Sequence, residues 1–367
     1  MRLYKTELFK LFYRKFFMVC LLCVLGILLL YFYFVNVGDE RTTVNGKLYT
    51  GYKAVQEDCK ITKEFRGVLT DDKAEQIIEK YGFPSKVEEY YGDFRDQNYL
   101  NGFITEYLGN GYFRDWDDYK VSTSLYTISQ TDLGRAAEAG ENEIILDYTK
   151  GWTVFFDILQ LGMILGSVLV LVGVSPVFSE EYQNNMSALL FTSEEGKSKD
   201  IIAKIAACFT MTTIIYIAIV VCVSVCIGSV YGFEGKDCII GTVLANSLNP
   251  ESPETMKTVL YFASLTLVLD YLALISLCAI TVCVSAHSKT LFHAVSVSCM
   301  IWLAPLLIRL MGSGAGYLLI TGTPLFMIMT VVLLDIYRIL IIPVMIAMCT
   351  LILCTISSWR YQKKLPI

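Results

Sequence analysis

Phe16–Val35 runs for twenty residues without one charged side chain. A helix rising roughly 1.5 Å per residue needs about 20 mostly apolar residues to cross a hydrocarbon layer roughly 30 Å thick. Trp152–Val177, Ile201–Ser229, Val259–Ser285, Leu291–Met311 and Ile339–Ser357 meet the same requirement. The whole chain of 367 residues is 54 % hydrophobic and only 18 % charged. Its mean hydropathy of +0.52 leaves more apolar surface than one water-soluble core can bury. The expected fold class is a polytopic α-helical membrane protein with six transmembrane helices.

A seventh apolar stretch, Gly316–Leu334, is interrupted by Thr321-Gly322-Thr323-Pro324, which leaves each half too short to cross. Basic residues precede the first span (Arg2, Lys5, Lys10, Arg14, Lys15) and follow the last (Arg360, Lys363, Lys364). The positive-inside rule reads both ends as cytoplasmic in the plasma membrane, which an even number of spans satisfies. Residues 312–338 are therefore expected to form a re-entrant helical hairpin entering from outside, with irregular backbone sheltered by protein or a watery cavity. Residues 358–367 form a cytoplasmic tail.

Alternation places 36–150 and the loop 230–258 outside. The first of these carries 22 acidic against 14 basic residues, a net of −8, so the rest of a chain whose total is −5 is slightly basic. Thr70 or Asp71 is positioned to cap a helix over Asp72–Tyr81 that stops at Gly82, with Pro84 beyond, and Gly109-Asn110-Gly111 reads as a turn. With its many aromatic residues, this segment is expected to be a compact extracellular α+β domain. Residues 1–15 place Leu8, Phe9, Phe12 and Phe16 on one side of a helix and Lys10, Arg14 and Lys15 nearer the other. That pattern predicts an interfacial amphipathic helix leading into an uncleaved first span.

Ten of the twelve cysteines lie in apolar spans, where a thiol acts as a small hydrophobe. Cys59 and Cys238 both fall outside and form a candidate disulfide, although spacing alone does not fix their separation. Neither has a metal-site spacing with histidine.

Gly196-Lys197-Ser198 matches the end of a phosphate-binding loop, but the position five residues before Gly196 is Phe191, not glycine. The backbone cradle of such a loop needs that glycine and a preceding strand. The two histidines, His287 and His293, belong to no nucleophile or metal pattern and read as polar residues around the turn 286–290. The chain is not expected to be an enzyme. Ionisable groups in lipid are the remaining candidates. Asp270 sits mid-span and either lines a translocation path, pairs with Arg309, or makes an interhelix polar contact. Asp335 and Arg338 form an i, i+3 pair of structural kind, while Asp157 and Lys204 lie near enough to the interfaces to snorkel.

The link 178–200 begins F-S-E-E-Y-Q-N-N-M-S-A-L-L. Phe178, Tyr182, Met186 and Leu189 make one apolar stripe, and Glu180, Glu181, Gln183, Asn184 and Ser187 occupy the rest of the helix. It predicts a helix in the inner interface with a polar, acidic face toward the cytoplasm. This segment resembles the cytoplasmic link of ABC-2 type transporter permeases. Phe178, Glu180, Glu181, Leu189, Leu190, Thr192 and Ser193 stand at matching positions, with Ser198-Lys199 where the family has Ser-Arg. Asn185 replaces the family's glycine, and Glu194-Glu195-Gly196-Lys197 its Pro-Val region. The leader T-E-L-F-K-L-F-Y-R-K-F-F and the Ser285–Thr290 turn are similar to the family's as well, as is a broken hairpin before the last span.

The resemblance implies a permease subunit of an ATP-driven exporter that dimerises with itself or a sister permease. ATP and Mg would be bound by a separate ATP-binding subunit, whose closure moves the link helix. Phe178, Glu180, Glu181, Tyr182, Ser285, Ser288 and Lys289 are the residues expected at that contact. The partners are thus an ATPase subunit, a second permease and membrane lipid, with no nucleic acid; the substrate is not legible. The competing reading is a non-transporting receptor or sensor whose outer domain binds a ligand. A polytopic enzyme lacks a catalytic set, and a secondary transporter lacks an inverted repeat.

Overall fold

The computed structural model describes residues 2–82, 96–109, 125–140, 142–184, 199–243, 257–311, 315–329 and 340–364. The chain divides into two compact units, one of residues 1–28, 157–223 and 265–367, the other of residues 29–156 and 224–264.

The first unit opens with α1 (Arg2–Phe12), which breaks before α2 (Lys15–Tyr31). It continues with α8 (Pro176–Gln183), α11 (Leu291–Met311), α14 (Ile341–Lys364) and the larger parts of α7 (Lys150–Val174), α9 (Lys199–Val230) and α10 (Val259–His287), whose remaining ends belong to the second unit. Six of the helices are long and apolar enough to cross a membrane, with α2 prolonged by a π-helical turn, Phe32–Val37, and α7 running on into α8. The protein is a multi-pass membrane protein. The most apolar windows of α7 and α10 are 72 % and 56 % buried, whereas those of the other four are 17–28 % buried. The second and fourth spans therefore form the inside of the bundle, and the others turn most of their apolar surface outward. Gly162 lets α7 approach α9, since a Cβ there would meet Ile219 at 2.6 Å. Small residues admit such close helix contacts in lipid, where the hydrophobic effect supplies no drive between helices.

Two short helices, α12 (Ala315–Ile320) and α13 (Pro324–Ile328), straddle Thr321–Thr323. The break expected from Thr321-Gly322-Thr323-Pro324 is present: Pro324 opens α13 at a position where its missing N–H is not needed. Gly322 packs against α14, where a Cβ would lie 2.6 Å from Ile346 Cβ. Asp335 and Arg338 lie outside the described residues.

The second unit contains β1 (Arg41–Val44) paired antiparallel with β2 (Lys47–Thr50), and β3 (Gly67–Val68) with β4 (Ile145–Leu146). Its helices are α3 (Tyr52–Phe65), α4 (Asp71–Tyr81), α5 (Tyr99–Leu108) and α6 (Asp132–Ala139). Asn45 and Gly46 at the β1–β2 turn both have positive φ (53° and 72°), the geometry that favours Asn-Gly in tight hairpins. Thr70 is the cap of α4, accepting from Lys73 N at 3.2 Å, and the helix starts at Asp71. Ile61, Ile77, Leu100, Ile104, Leu108, Leu133 and Leu146 form the core, joined by Ile239 from the loop between α9 and α10. That loop, read from sequence as separate from 36–150, belongs to the same compact unit. It is stitched in by Tyr107 Oη donating to Gly241 O (2.9 Å), Gly235 N donating to Asp147 Oδ2 (3.0 Å) and Trp152 Nε1 donating to Glu234 O (2.8 Å).

Candidate functional site

Helix α8 follows the second span after one turn residue, Ser175, and begins with Pro176. Its first N–H groups have no carbonyl of their own helix to meet. Phe178 N, one of these, donates to Ser285 Oγ of α10 at 3.1 Å; Ser179 N also donates to that oxygen at 3.2 Å, and the hydroxyl donates to Ser175 O at 2.6 Å. Ser285, fully buried, is thus a cap supplied by a neighbouring span.

The rest of α8 is bonded to other helices. Glu180 pairs with Arg14, at the start of α2. Glu181 pairs with Lys204 of α9 at 2.6 Å, and the same ammonium holds Asp200 at 2.6 Å. Lys204 also lies over the Phe178 ring, 5.6 Å from its centroid. Tyr182 Oη donates to Gln362 Oε1 of α14 (2.9 Å), and Gln362 Nε2 donates to Ala286 O of α10 (2.8 Å). Gln183 Oε1 accepts from Leu291 N (3.2 Å), the first residue of α11. One eight-residue helix is therefore tied to the ends of five spans.

The electrostatics of the cluster are those of a buried triad. The Lys204 side chain is 2 % exposed, against 9 % for Asp200 and 21 % for Glu181. Charges so far from water persist only when paired and hydrogen-bonded. Lys204, expected to snorkel, does not: it points into the cluster because two carboxylates meet it there. Arg14, Asp200, Lys204, Gln183 and Gln362 all belong to this cluster and were not singled out as site residues by sequence reasoning. Asp200 and Lys204 carried a signal, an acid and a base four residues apart at the head of an apolar run.

Of the residues expected at an ATPase contact, Phe178, Ser285 and Ser288 are buried within the chain. Ser288 Oγ donates to Val284 O at 2.7 Å and lies 3.0 Å from His293 Nδ1. Glu180 and Tyr182 are half-buried, and Lys289 is exposed. The helical stripe was expected to run to Leu189; α8 ends at Gln183, and Met186, Leu189 and Gly196-Lys197-Ser198 lie outside the described residues. Helix α10 runs two residues further than the expected span, and His287, its last residue, lies against Tyr361 with ring centroids 3.9 Å apart and planes tilted by 33°.

Asp270 is 1 % exposed, and its Oδ1 has no hydrogen-bond partner among the described residues. The structure does not join it to Arg309, whose guanidinium lies 5.7 Å from the Phe326 ring centroid. Asp157 is exposed. In the second unit Cys59 and Cys238 are free thiols, and burial pushes each up to about 12. Among the described residues no three His, Cys, Asp or Glu side chains gather as a metal site.

Fold and cluster together define a multi-pass helical membrane protein whose spans are tied at one end through a short helix. Compared with family models, with curated proteins and with solved structures, the chain matches none.

Proposed function

We propose that this chain is the membrane-spanning permease subunit of an ATP-driven exporter, of the ABC-2 kind that its link segment resembles. The observation that carries this reading is the set of bonds from α8. A push on that helix reaches α9 through Lys204, α10 through Ser285, α11 through the Leu291 amide and α14 through Gln362. A device that converts motion of a partner subunit into reorientation of spans needs such a stiff lever, and a non-transporting channel wall or lipid-facing helix does not. In this reading the half-exposed Glu180 and the exposed Lys289 meet the ATP-binding subunit, while the buried Phe178, Ser285 and Ser288 hold α8 to the bundle from inside. ATP and Mg reside in that partner, α8 faces the cytoplasm in the plasma membrane, and the second unit with its acidic surface lies outside. A second permease copy, identical or related, completes the pathway.

The test is capture of the tagged chain from its native membrane in mild detergent. Recovery of a stoichiometric ATPase subunit, with binding lost in Glu180→Lys/Lys289→Glu while the bundle stays folded, supports the reading. Recovery without any ATPase, together with a ligand-dependent response of the second unit, replaces it with the receptor alternative.

A further inference from the structure

Among the described residues, the end of the first unit that holds α8 has more positive charge than the carboxylates there absorb. Arg14 and Gln362 both bond to α8, so the start of α2 and the end of α14 lie at this end together. The described carboxylates there are all engaged: Glu7 with Lys10, Glu180 with Arg14, Glu181 and Asp200 with Lys204. Lys5, Lys15, Lys289, Arg360 and Lys363 are exposed, and none has an ion pair with a described carboxylate.

Helix α1 adds a second kind of surface. Its inner side is fixed by buried Glu7 and Leu11 and by Tyr4 Oη bonded to Thr210 Oγ1 at 2.8 Å. Its other side presents Phe9, 61 % exposed, stacked on Tyr13, with Phe16 following in α2; the latter two are 69 % exposed. The sequence had placed Leu8, Phe9, Phe12 and Phe16 on one face, but Leu8 and Phe12 are half-buried while Phe9 and Phe16 point away from the protein. Two residues separate α1 from a membrane span, so the covalent chain keeps this aromatic face at the edge of the hydrocarbon layer. Aromatic rings belong at that depth, and lysines just outside it meet lipid phosphates.

We infer that this rim is a binding surface for anionic phospholipid headgroups. Phe9, Tyr13 and Phe16 seat at the acyl boundary, and Lys5, Lys15, Lys289, Arg360 and Lys363 pair with phosphodiester groups around it. An acidic protein would use the cations but would have no use for aromatic rings held at membrane depth, which is why lipid is the occupant. The inference stands whether or not α8 meets an ATPase.

The experiment uses the full chain in mild detergent with equal amounts of phosphatidylglycerol and phosphatidylcholine, counting retained lipids by native mass spectrometry. The expected result is about a tenfold preference for phosphatidylglycerol at low salt, shrinking as salt rises. Lys5→Gln/Lys15→Gln/Arg360→Gln/Lys363→Gln reduces that preference to about twofold or less, and the matching Lys→Arg changes at positions 5, 15 and 363 preserve it. Equal retention of the two lipids by the unaltered chain overturns the proposal and needs no variant. So does an undiminished preference in the glutamine variant, with its melting temperature in lipid-free detergent as the check that it folds.

Discussion

Ser285 does the work of three bonds with one hydroxyl. It accepts from two main-chain N–H groups of α8 and donates to Ser175 O in a site with no water access. Ser285→Ala strands the buried Phe178 N–H and removes a second acceptor from Ser179 N–H, and a buried donor left unmet costs about 1–3 kcal/mol. A drop of several degrees in melting temperature in detergent is expected, with Ser285→Thr nearer the unaltered protein. Lys204 makes a sharper case. Lys204→Met leaves Glu181 and Asp200 facing each other without a cation, a change that costs about 3–5 kcal/mol in buried pairs. Adding Glu181→Gln and Asp200→Asn to Lys204→Met removes the stranded charges. Most of the lost melting temperature should return, and a triple variant as unstable as the single one would show that the triad is not the cause.

Asp58 belongs to the same scale and predicts a pH dependence. Its Oδ1 accepts from Thr42 Oγ1 (2.7 Å) and Tyr99 N (3.1 Å), tying β1 and the start of α5 to the middle of α3. Burial raises the carboxyl from its ordinary 3.8 to about 6, against those two hydrogen bonds and Lys150, which lower it, while Glu40 raises it further. A folded value above the unfolded one means the folded state holds the proton more tightly. This contribution to stability is therefore full below about pH 4, falls as pH rises through about 6, and is gone above that. Two units correspond to about 3 kcal/mol as an upper figure. Asp58→Asn keeps the acceptor and loses the charge, so it should raise the melting temperature at pH 7.5 and flatten the slope between pH 4 and 6. Nothing in the sequence marks Asp58, because its burial depends on β1 and α5, which are distant in the chain.

At the scale of elements, what was legible had a local cause. The six spans were readable because crossing lipid demands a long uncharged run, and Thr70 and Gly82 were readable because caps act on their own helix. Asn45-Gly46 was equally legible by its turn chemistry and went unread. The packing of α7 on α9 was not legible: a glycine in an apolar run states no partner. The structure supplies one, and Gly162→Leu should force the two helices apart at Ile219 at a cost of about 1–3 kcal/mol. A lower melting temperature with the second unit's fold retained is the expected outcome. The described reach of α8 covers only the first part of the sequence pattern, since 185–198 lie outside the described residues. Periodicity continued to Leu189, whereas the described helix stops at Gln183, where the side chain turns to cap α11.

For the molecule as a whole, six helices among the described residues are long and apolar enough to cross, and if each crosses once both ends of the chain fall on one side of the membrane. Tags at the two termini should be digested together in vesicles of one orientation and protected together in the other; opposite protection of the two would require an odd number of crossings. The sequence by itself determined this protein's solvent, the six apolar runs long enough to span it and the break at Thr321–Pro324, since lipid and backbone impose those rules residue by residue. It placed a helix in the link after the second apolar run, and the ATPase partner remains the proposal that its resemblance motivates. Only the tertiary structure decided that α8 is held by five other helices, that Lys204 turns inward to two carboxylates, and that the 224–264 segment folds with 29–156. Those outcomes depend on pairings between residues up to hundreds of positions apart, whose energies arise only when the helices meet.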